Sequence, residues 1–119
     1  MQDKKDSLKY YIESAVNHAD ATQKGDYKNV NKNAKNLSKI YKIMEKDSKL
    51  ADELLDVLFV EKEVSVRLWS FAHALGLNKR IKEAEIGLKQ ISVMGDNKIL
   101  KFGAKMTLKA WKDQGFLKF

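Results

Sequence analysis

Two opposed stripes run along residues 27–46, which read YKNVNKNAKNLSKIYKIMEK. Lysines recur there at alternating steps of four and three, as Lys28, Lys32, Lys35, Lys39, Lys42 and Lys46. Apolar side chains follow the same rhythm, as Tyr27, Val30, Ala34, Leu37, Tyr41 and Met44. At roughly 100° per residue, the two stripes point about 160° apart on an α-helix. The stretch is therefore predicted to be an amphipathic helix, with one face for a core and one row of ammonium groups.

Helical spacing continues on both sides of this helix, and no strand pattern competes with it. We predict six helices, over residues 7–24, 27–46, 48–59, 64–75, 79–94 and 97–114. The predicted N-terminal caps are Asp6 or Ser7, Asp26, Asn78 and Asp96. Glycines are expected to end four of the helices, at Gly25, Gly76, Gly95 and Gly115.

Two of these helices have distinctive patterns. Residues 64–75 are apolar almost all round, which is typical of a helix covered on several sides. The sixth helix repeats the lysine pattern with Lys98, Lys101, Lys105, Lys109 and Lys112. This second row lies roughly opposite Ile99, Phe102, Gly103, Met106 and Ala110, so we expect that apolar set to face a core.

Short links between the helices favour antiparallel pairing of neighbours. We predict an all-α single domain over residues 1–119, with about six helices in antiparallel hairpin pairs. Three stacked pairs would make a short armadillo- or HEAT-like α-solenoid. A compact helical bundle is the alternative, because the sequence contains no convincing internal repeat.

Charge is distributed unevenly along a basic chain. The net charge is +7, and 21 of the 23 basic residues are lysine. Residues 1–46 carry +4, residues 47–76 carry −3 and residues 77–119 carry +6. Such an excess can attract anionic partners. The lysine bias argues against the reading of DNA bases, since arginine supplies the planar fork that recognises guanine.

The absence of cysteine excludes disulfides, zinc–thiolate sites and thiol catalysis. We see no signal peptide behind the charged residues 1–6, and no apolar run of the roughly 18 residues that a membrane span needs. We therefore expect a cytoplasmic protein without a membrane partner. No cofactor motif is present, and none is predicted.

Two stretches resemble a known family. They are residues 66–76, VRLWSFAHALG, and residues 104–111, AKMTLKAW. Together they are similar to an uncharacterised bacterial family of short armadillo/HEAT-like helical proteins, over roughly residues 48–115. The resemblance implies a helical-repeat fold with no established enzyme activity. Some small proteins of this shape are similar to immunity proteins that neutralise secreted bacterial toxins. The lysine-rich ends depart from the acidic character of many immunity proteins that block nucleases.

Candidate catalytic groups are sparse. His18 and His73 lie on different predicted helices, and His73 shares a face with Trp69, so we interpret it as a packed histidine rather than a catalytic base. Ser70 lies one turn from His73 but lacks the strand–turn–helix elbow of a nucleophile. The acidic residues Asp52, Glu53, Asp56, Glu61 and Glu63 are interpreted as a solvated face, with a metal site as the less favoured alternative. We predict no enzyme and no metal.

Four other side chains are singled out as structural residues or site candidates: Arg67, Trp69, His73 and Trp111. Arg67 falls within the most apolar helix, where a guanidinium needs an acceptor. We predict an ion pair with Asp56 or Glu63, with a ligand-binding arginine as the alternative. The four tyrosines, Tyr10, Tyr11, Tyr27 and Tyr41, are expected in or near the core.

The predicted function is a non-enzymatic protein-binding module, in its most concrete form an immunity protein that binds and neutralises a bacterial toxin. The two lysine rows would lie near the edges of the binding face. The alternative is sequence-nonspecific binding of nucleic acid, or another polyanion, through the same lysines. The lysine rows lack the interleaved aromatic residues that single-strand binders use. The sequence does not predict the partner or the oligomeric state.

Overall fold

Six helices make up most of the chain, as the hydrophobic spacing predicts. A computed structural model describes residues 4–117 and residue 119. The helices are α1 (Lys4–Lys24), α2 (Tyr27–Lys46), α3 (Ser48–Leu58), α4 (Val64–Gly76), α5 (Ile81–Met94) and α6 (Lys98–Gln114). No strand occurs among these described residues, so the all-α prediction is confirmed.

Several predicted caps differ from the observed ones. Helix α1 begins at Lys4, so Asp6 lies inside its first turn. The carboxylate of Asp26 caps α2 as predicted, accepting from the Asn29 amide. The predicted cap at Asp96 was wrong, because Asn97 caps α6 and its side-chain oxygen accepts from two amides of the first turn at 2.9 and 3.1 Å.

The link between α4 and α5 also differs from the prediction. Helix α4 continues through Gly76, and the amide of Lys79 returns to the carbonyl of Ala74 at 2.9 Å. Asn78 and Arg80 have left-handed backbones with φ of 57° and 48°. Asparagine tolerates this conformation at the end of a helix. Asn78 therefore terminates α4 and does not cap α5, which begins after Arg80.

Helix α4 lies at the centre of the packing. It contacts α1, α3, α5 and α6, which confirms the expectation drawn from its apolar composition. Helices α1 and α2 pack against each other on one side of it, and α5 and α6 do so on the other. The molecule measures 34 × 31 × 25 Å along its principal axes. This packing fits both a short stack of three helical hairpins and a helical bundle.

The core contains side chains from all six helices. Its largest fully buried apolar side chains are Tyr11, Leu37, Ile40, Met44, Leu54, Leu55, Leu58, Leu75 and Leu88. Burial of each such side chain contributes about 1.5–3 kcal/mol to folding. Tyr11 and Tyr41 are buried as expected. The expectation for Tyr27 was wrong, because it begins α2 beyond the packed part of the hairpin and is 77% exposed.

Candidate partner-binding surface

Helix α6 has three distinct faces. One face carries Ala104, Leu108 and Trp111, which pack towards the core. A second carries the α6 lysine row, Lys98, Lys101, Lys105, Lys109 and Lys112. The third carries Ile99, Phe102 and Met106, which are 44%, 64% and 46% exposed and are called here the α6 apolar face. Three large apolar side chains within two turns are thus left without cover among the described residues.

The expectation that these apolar residues face a core was wrong. At roughly 100° per residue, the α6 apolar face points only about 100° from the lysine row. The face of Ala104, Leu108 and Trp111 points about 100° from the lysine row on the other side, and it is the one that packs on α4 and α5. Ala104 is the only fully buried residue of α6. Only one of the three faces of α6 therefore packs against the core.

A groove opens beside the α6 apolar face, between α1, α4 and α6. Its volume is about 260 Å³. The lining residues are His18, Ala19, Thr22, Gln23, Ser65, Leu68, Trp69, Ala72, Asn97, Ile99, Leu100, Gly103, Thr107 and Phe119. Ile99 belongs both to this groove and to the α6 apolar face, so the two surfaces are continuous.

Local contacts hold the walls of the groove in place. The His18 ring stands edge-on to Trp69, with centroids 5.0 Å apart. The side-chain amide of Asn97 donates to the side-chain oxygen of Gln23 at 3.2 Å and joins the start of α6 to the end of α1. Gly103 leaves space over Leu68, since a methyl group there would come no closer than 3.5 Å. The groove is thus framed by three helices and open at Gly103.

Phe119 forms the inner wall of the groove. Its ring packs against Tyr41 at 4.9 Å and stands edge-on to His73 at 4.6 Å, measured between ring centroids. Gly76 makes room for it, because a Cβ at that position would lie 2.9 Å from the ring. Phe119 therefore packs against the aromatic side chains at the centre of the molecule.

His73 is fully buried behind this wall. Its Nδ1 atom lies 2.7 Å from the hydroxyl of Tyr11, and the rings of Tyr41, Trp69 and Phe119 surround it. Its Nε2 atom has no hydrogen-bond partner among the described residues. Burial lowers the pKa of His73 from 6.5 to about 3. The imidazole is therefore neutral at physiological pH.

Burial also shifts the pKa values of neighbouring groups. It raises the pKa of Tyr11 well above its usual value and lowers the pKa of the half-buried His18. Tyr41 has a raised pKa, first through burial and then through the negative charge of Glu45. Each shift favours the neutral form, so this aromatic centre carries no charge at neutral pH.

The two lysine rows lie on different hairpins. The α2 lysine row, Lys28, Lys32, Lys35, Lys39, Lys42 and Lys46, is exposed throughout. Helix α2 packs against α1 and α3, whereas α6 packs against α4 and α5. Among the described residues, the α2 lysines make no ion pair, and in the α6 row Lys109 pairs with Asp113 at 3.1 Å. The structure therefore presents two separate cationic patches.

Three carboxylates in the acidic middle of the chain form ion pairs. Asp52 accepts from Lys79 at 3.3 Å, and Asp56 pairs with Arg80 at 2.6 Å. Glu53 lies 4.0 Å from Lys4. In the part of the chain that the structure describes, no three histidine or carboxylate side chains are grouped to hold a metal ion. These carboxylates tie α3 to α1 and to the α4–α5 link.

The predicted ion pair of Arg67 was wrong. Its guanidinium donates to the backbone carbonyls of Glu61 and Lys62, in the link between α3 and α4. These two carbonyls lie in the link, outside any helix, and therefore need a hydrogen-bond donor from elsewhere. One guanidinium can donate to several acceptors at once. Arg67 therefore closes its own link, and Asp56 is taken by Arg80 instead.

A double-mutant cycle can test this exchange of partners. We expect Arg67→Met to lower the free energy of unfolding by about 1 kcal/mol, because two carbonyls lose their donor. Combined with Asp56→Asn, the effects should add, since the two side chains share no contact. The matched pair Arg80→Met and Asp56→Asn should show coupling of up to about 1 kcal/mol. Urea unfolding of the wild type and the five variants measures both coupling energies. Coupling between Arg67 and Asp56, with none between Arg80 and Asp56, would support the ion pair predicted from the sequence.

The remaining singled-out residues have structural partners. The indole of Trp111 donates to Glu85 at 2.9 Å and joins α6 to α5. Trp69 lines the groove, and His73 lies behind it. The sequence interpretation missed Leu68, Gly103 and Phe119 as parts of a surface. The one signal in the sequence was the helical projection of α6, which separates its residues into three faces.

Every helix in the described part of the chain is too short or too polar to cross a lipid bilayer. Comparison of the chain with protein-family models, curated proteins and solved structures gives no match.

Proposed function

We propose that this protein is a non-enzymatic binding module that holds a partner protein on the α6 apolar face and the adjoining groove. In its most concrete form it is an immunity-type protein that covers a toxin. The observation that carries the proposal is the exposure of Ile99, Phe102 and Met106 side by side. Contiguous apolar surface beside a concavity is a common mark of an interaction site.

The surface suits a protein better than a small cofactor. Binding sites for drug-sized ligands occupy roughly 300–1,000 Å³, and the groove is smaller at about 260 Å³. It can take one or two side chains of a partner whose main contact is with α6. Aromatic anchors such as Phe102 are typical hot spots, whereas rim lysines contribute chiefly to the rate of association.

A pull-down from the native cell tests this function. The tagged protein and its Phe102→Ser variant would be used as bait, with and without nuclease treatment. We expect one stoichiometric protein to survive nuclease treatment and its recovery to fall at least tenfold with Phe102→Ser. The matched control is Tyr27→Ser, since Tyr27 is an aromatic residue exposed to 77% on the other hairpin. Equal recovery with both variants would contradict the proposed surface.

Binding of a polyanion is the second candidate, and the α2 lysine row favours it. Six exposed ammonium groups without a carboxylate partner among the described residues can each replace a counterion on a phosphate backbone. In that case, affinity for single-stranded RNA should fall steeply with salt. The slope should decrease in the Lys32→Gln, Lys39→Gln double variant and more weakly in Lys101→Gln, Lys105→Gln. A nuclease-sensitive pull-down with this salt dependence would favour the polyanion over the protein partner.

A further inference from the structure

The charges around the α6 apolar face differ between its two edges. On one edge lie Lys98 and Lys105, both exposed and neither in an ion pair among the described residues. On the groove edge lie the neutral side chains of Gln23, Asn97 and Thr107, with the exposed carboxylate of Asp96 at its end beside Ile99. A partner that covers Phe102 would therefore meet positive charge on one side only. The partner surface that complements this face is apolar in the middle and acidic along one edge.

The shape of the surface favours a helical partner. From Ile99 to Met106 the apolar face extends for two turns, or about 10 Å, which matches the diameter of an α-helix with its side chains. The groove beside it is a concavity that a large apolar side chain can enter, over Leu68 and Trp69. A helix that presents residues at positions i, i+3, i+4 and i+7 fits such a ridge and groove.

A lipid surface fits the same residues less well. Lysines beside exposed apolar side chains are also found on helices that lie at membrane interfaces. A flat bilayer would, however, leave the groove between α1, α4 and α6 unfilled. Helix α6 also spends one of its faces on the core, so only three large apolar side chains remain to enter lipid.

We infer that the occupant of this surface is an amphipathic helix of a partner protein, with carboxylates along the edge that meets Lys98 and Lys105 and one large apolar side chain in the groove. This inference rests on the proposed function and specifies the chemistry of the partner. Ile99 would lie at the boundary, contacting both the ridge and the inserted side chain.

Two designed peptides test the inference directly. Both would be 18-residue helices with the same leucine stripe, one with glutamates along a single edge and the other with lysines at the same positions. We expect the acidic peptide to bind at least tenfold more tightly than the basic one by fluorescence anisotropy at 50 mM salt. Lys98→Glu together with Lys105→Glu should reverse that preference, while Lys35→Glu on α2 is the matched control and should not.

Three further measurements fix the site and the class of partner. Phe102→Ser should weaken the acidic peptide tenfold or more, and Gly103→Leu should do the same by filling the groove. Circular dichroism confirms that both variants remain folded. Sedimentation with vesicles of anionic phospholipid should show no binding that depends on Phe102.

The inference would be overturned by equal affinity for both peptides, by no binding at 1 mM, or by peptide binding that is unchanged in Gly103→Leu. Vesicle binding that is lost with Phe102→Ser would also overturn it, and would assign the face to a membrane. A separate result would contradict the proposed function, namely a native pull-down in which recovery of the partner is unchanged by Phe102→Ser. A partner captured through Phe102 alongside peptides that do not bind would leave the function standing and reject the acidic helix.

Discussion

Acidification from pH 6.5 to pH 4 should lower the folding equilibrium constant roughly 140-fold through His73 alone. The pKa of this histidine is about 3 in the folded protein, against 6.5 for an exposed imidazole. Between these values the unfolded chain binds a proton that the folded chain excludes. The free energy of unfolding therefore falls as the pH drops through 6.5 towards 3, and the contribution of His73 becomes independent of pH only at values well above 6.5.

The physical cause is the closed aromatic surroundings of the ring. Tyr11 supplies the only hydrogen bond of the His73 ring among the described residues, and the rings of Tyr41, Trp69 and Phe119 pack around it. A proton on this imidazole would place a full charge where water cannot reach it. The attraction of aromatic faces for a cation offsets only part of that cost.

Urea unfolding at pH 7, 6, 5 and 4 measures the effect. The control is the His73→Leu, Tyr11→Phe double variant, which removes both ends of the buried hydrogen bond and leaves no orphan hydroxyl. His18 and the carboxylates are common to both proteins, so the difference in pH dependence isolates His73. Parallel curves for the two proteins would show that the buried imidazole does not govern stability in acid.

The sequence was sufficient for the helices because their signal is local. A 3.6-residue period in apolar side chains located all six helices, and the all-round apolar character of residues 64–75 placed α4 at the centre. Helix ends were less predictable. Several asparagines and aspartates stand near each link, and whether one of them caps a helix or turns left-handed depends on the direction in which the next helix leaves.

Contacts between distant residues were beyond the sequence. Nothing in the pattern around Arg67 shows that its acceptors are backbone carbonyls, or that Asp56 pairs with Arg80. The approach of Phe119 to His73 joins residues far apart in the sequence and depends on the missing side chain of Gly76. The exposure of Phe102 was not predicted for another reason. The position of the lysine row alone does not show whether the rest of the helix has one apolar face or two.

Two helical glycines should respond to alanine with opposite signs. Gly87 of α5 is buried against Phe71 of α4, and a Cβ at Gly87 would overlap the Phe71 ring. Phe71 is itself held by Phe59, with ring centroids 4.8 Å apart, so it can move only partly into the shallow cavity beside it. Such overpacking costs about 1–3 kcal/mol, and the helix-forming preference of alanine returns about 0.5–1 kcal/mol. We expect Gly87→Ala to lower the free energy of unfolding by about 1–2 kcal/mol.

Gly103 of α6 provides the matched control. A Cβ there meets only Leu68, at an ordinary 3.5 Å, so Gly103→Ala should raise the free energy of unfolding by about 0.5–1 kcal/mol. The contrast separates close packing of α5 on α4 from the open position of α6, which is the feature that leaves the groove available to a partner. Phe71→Leu should relieve Gly87→Ala in a double-mutant cycle, because the shorter side chain makes room for the added methyl group. A stabilising Gly87→Ala, or a cycle without coupling, would mean that α5 does not lie against the Phe71 ring.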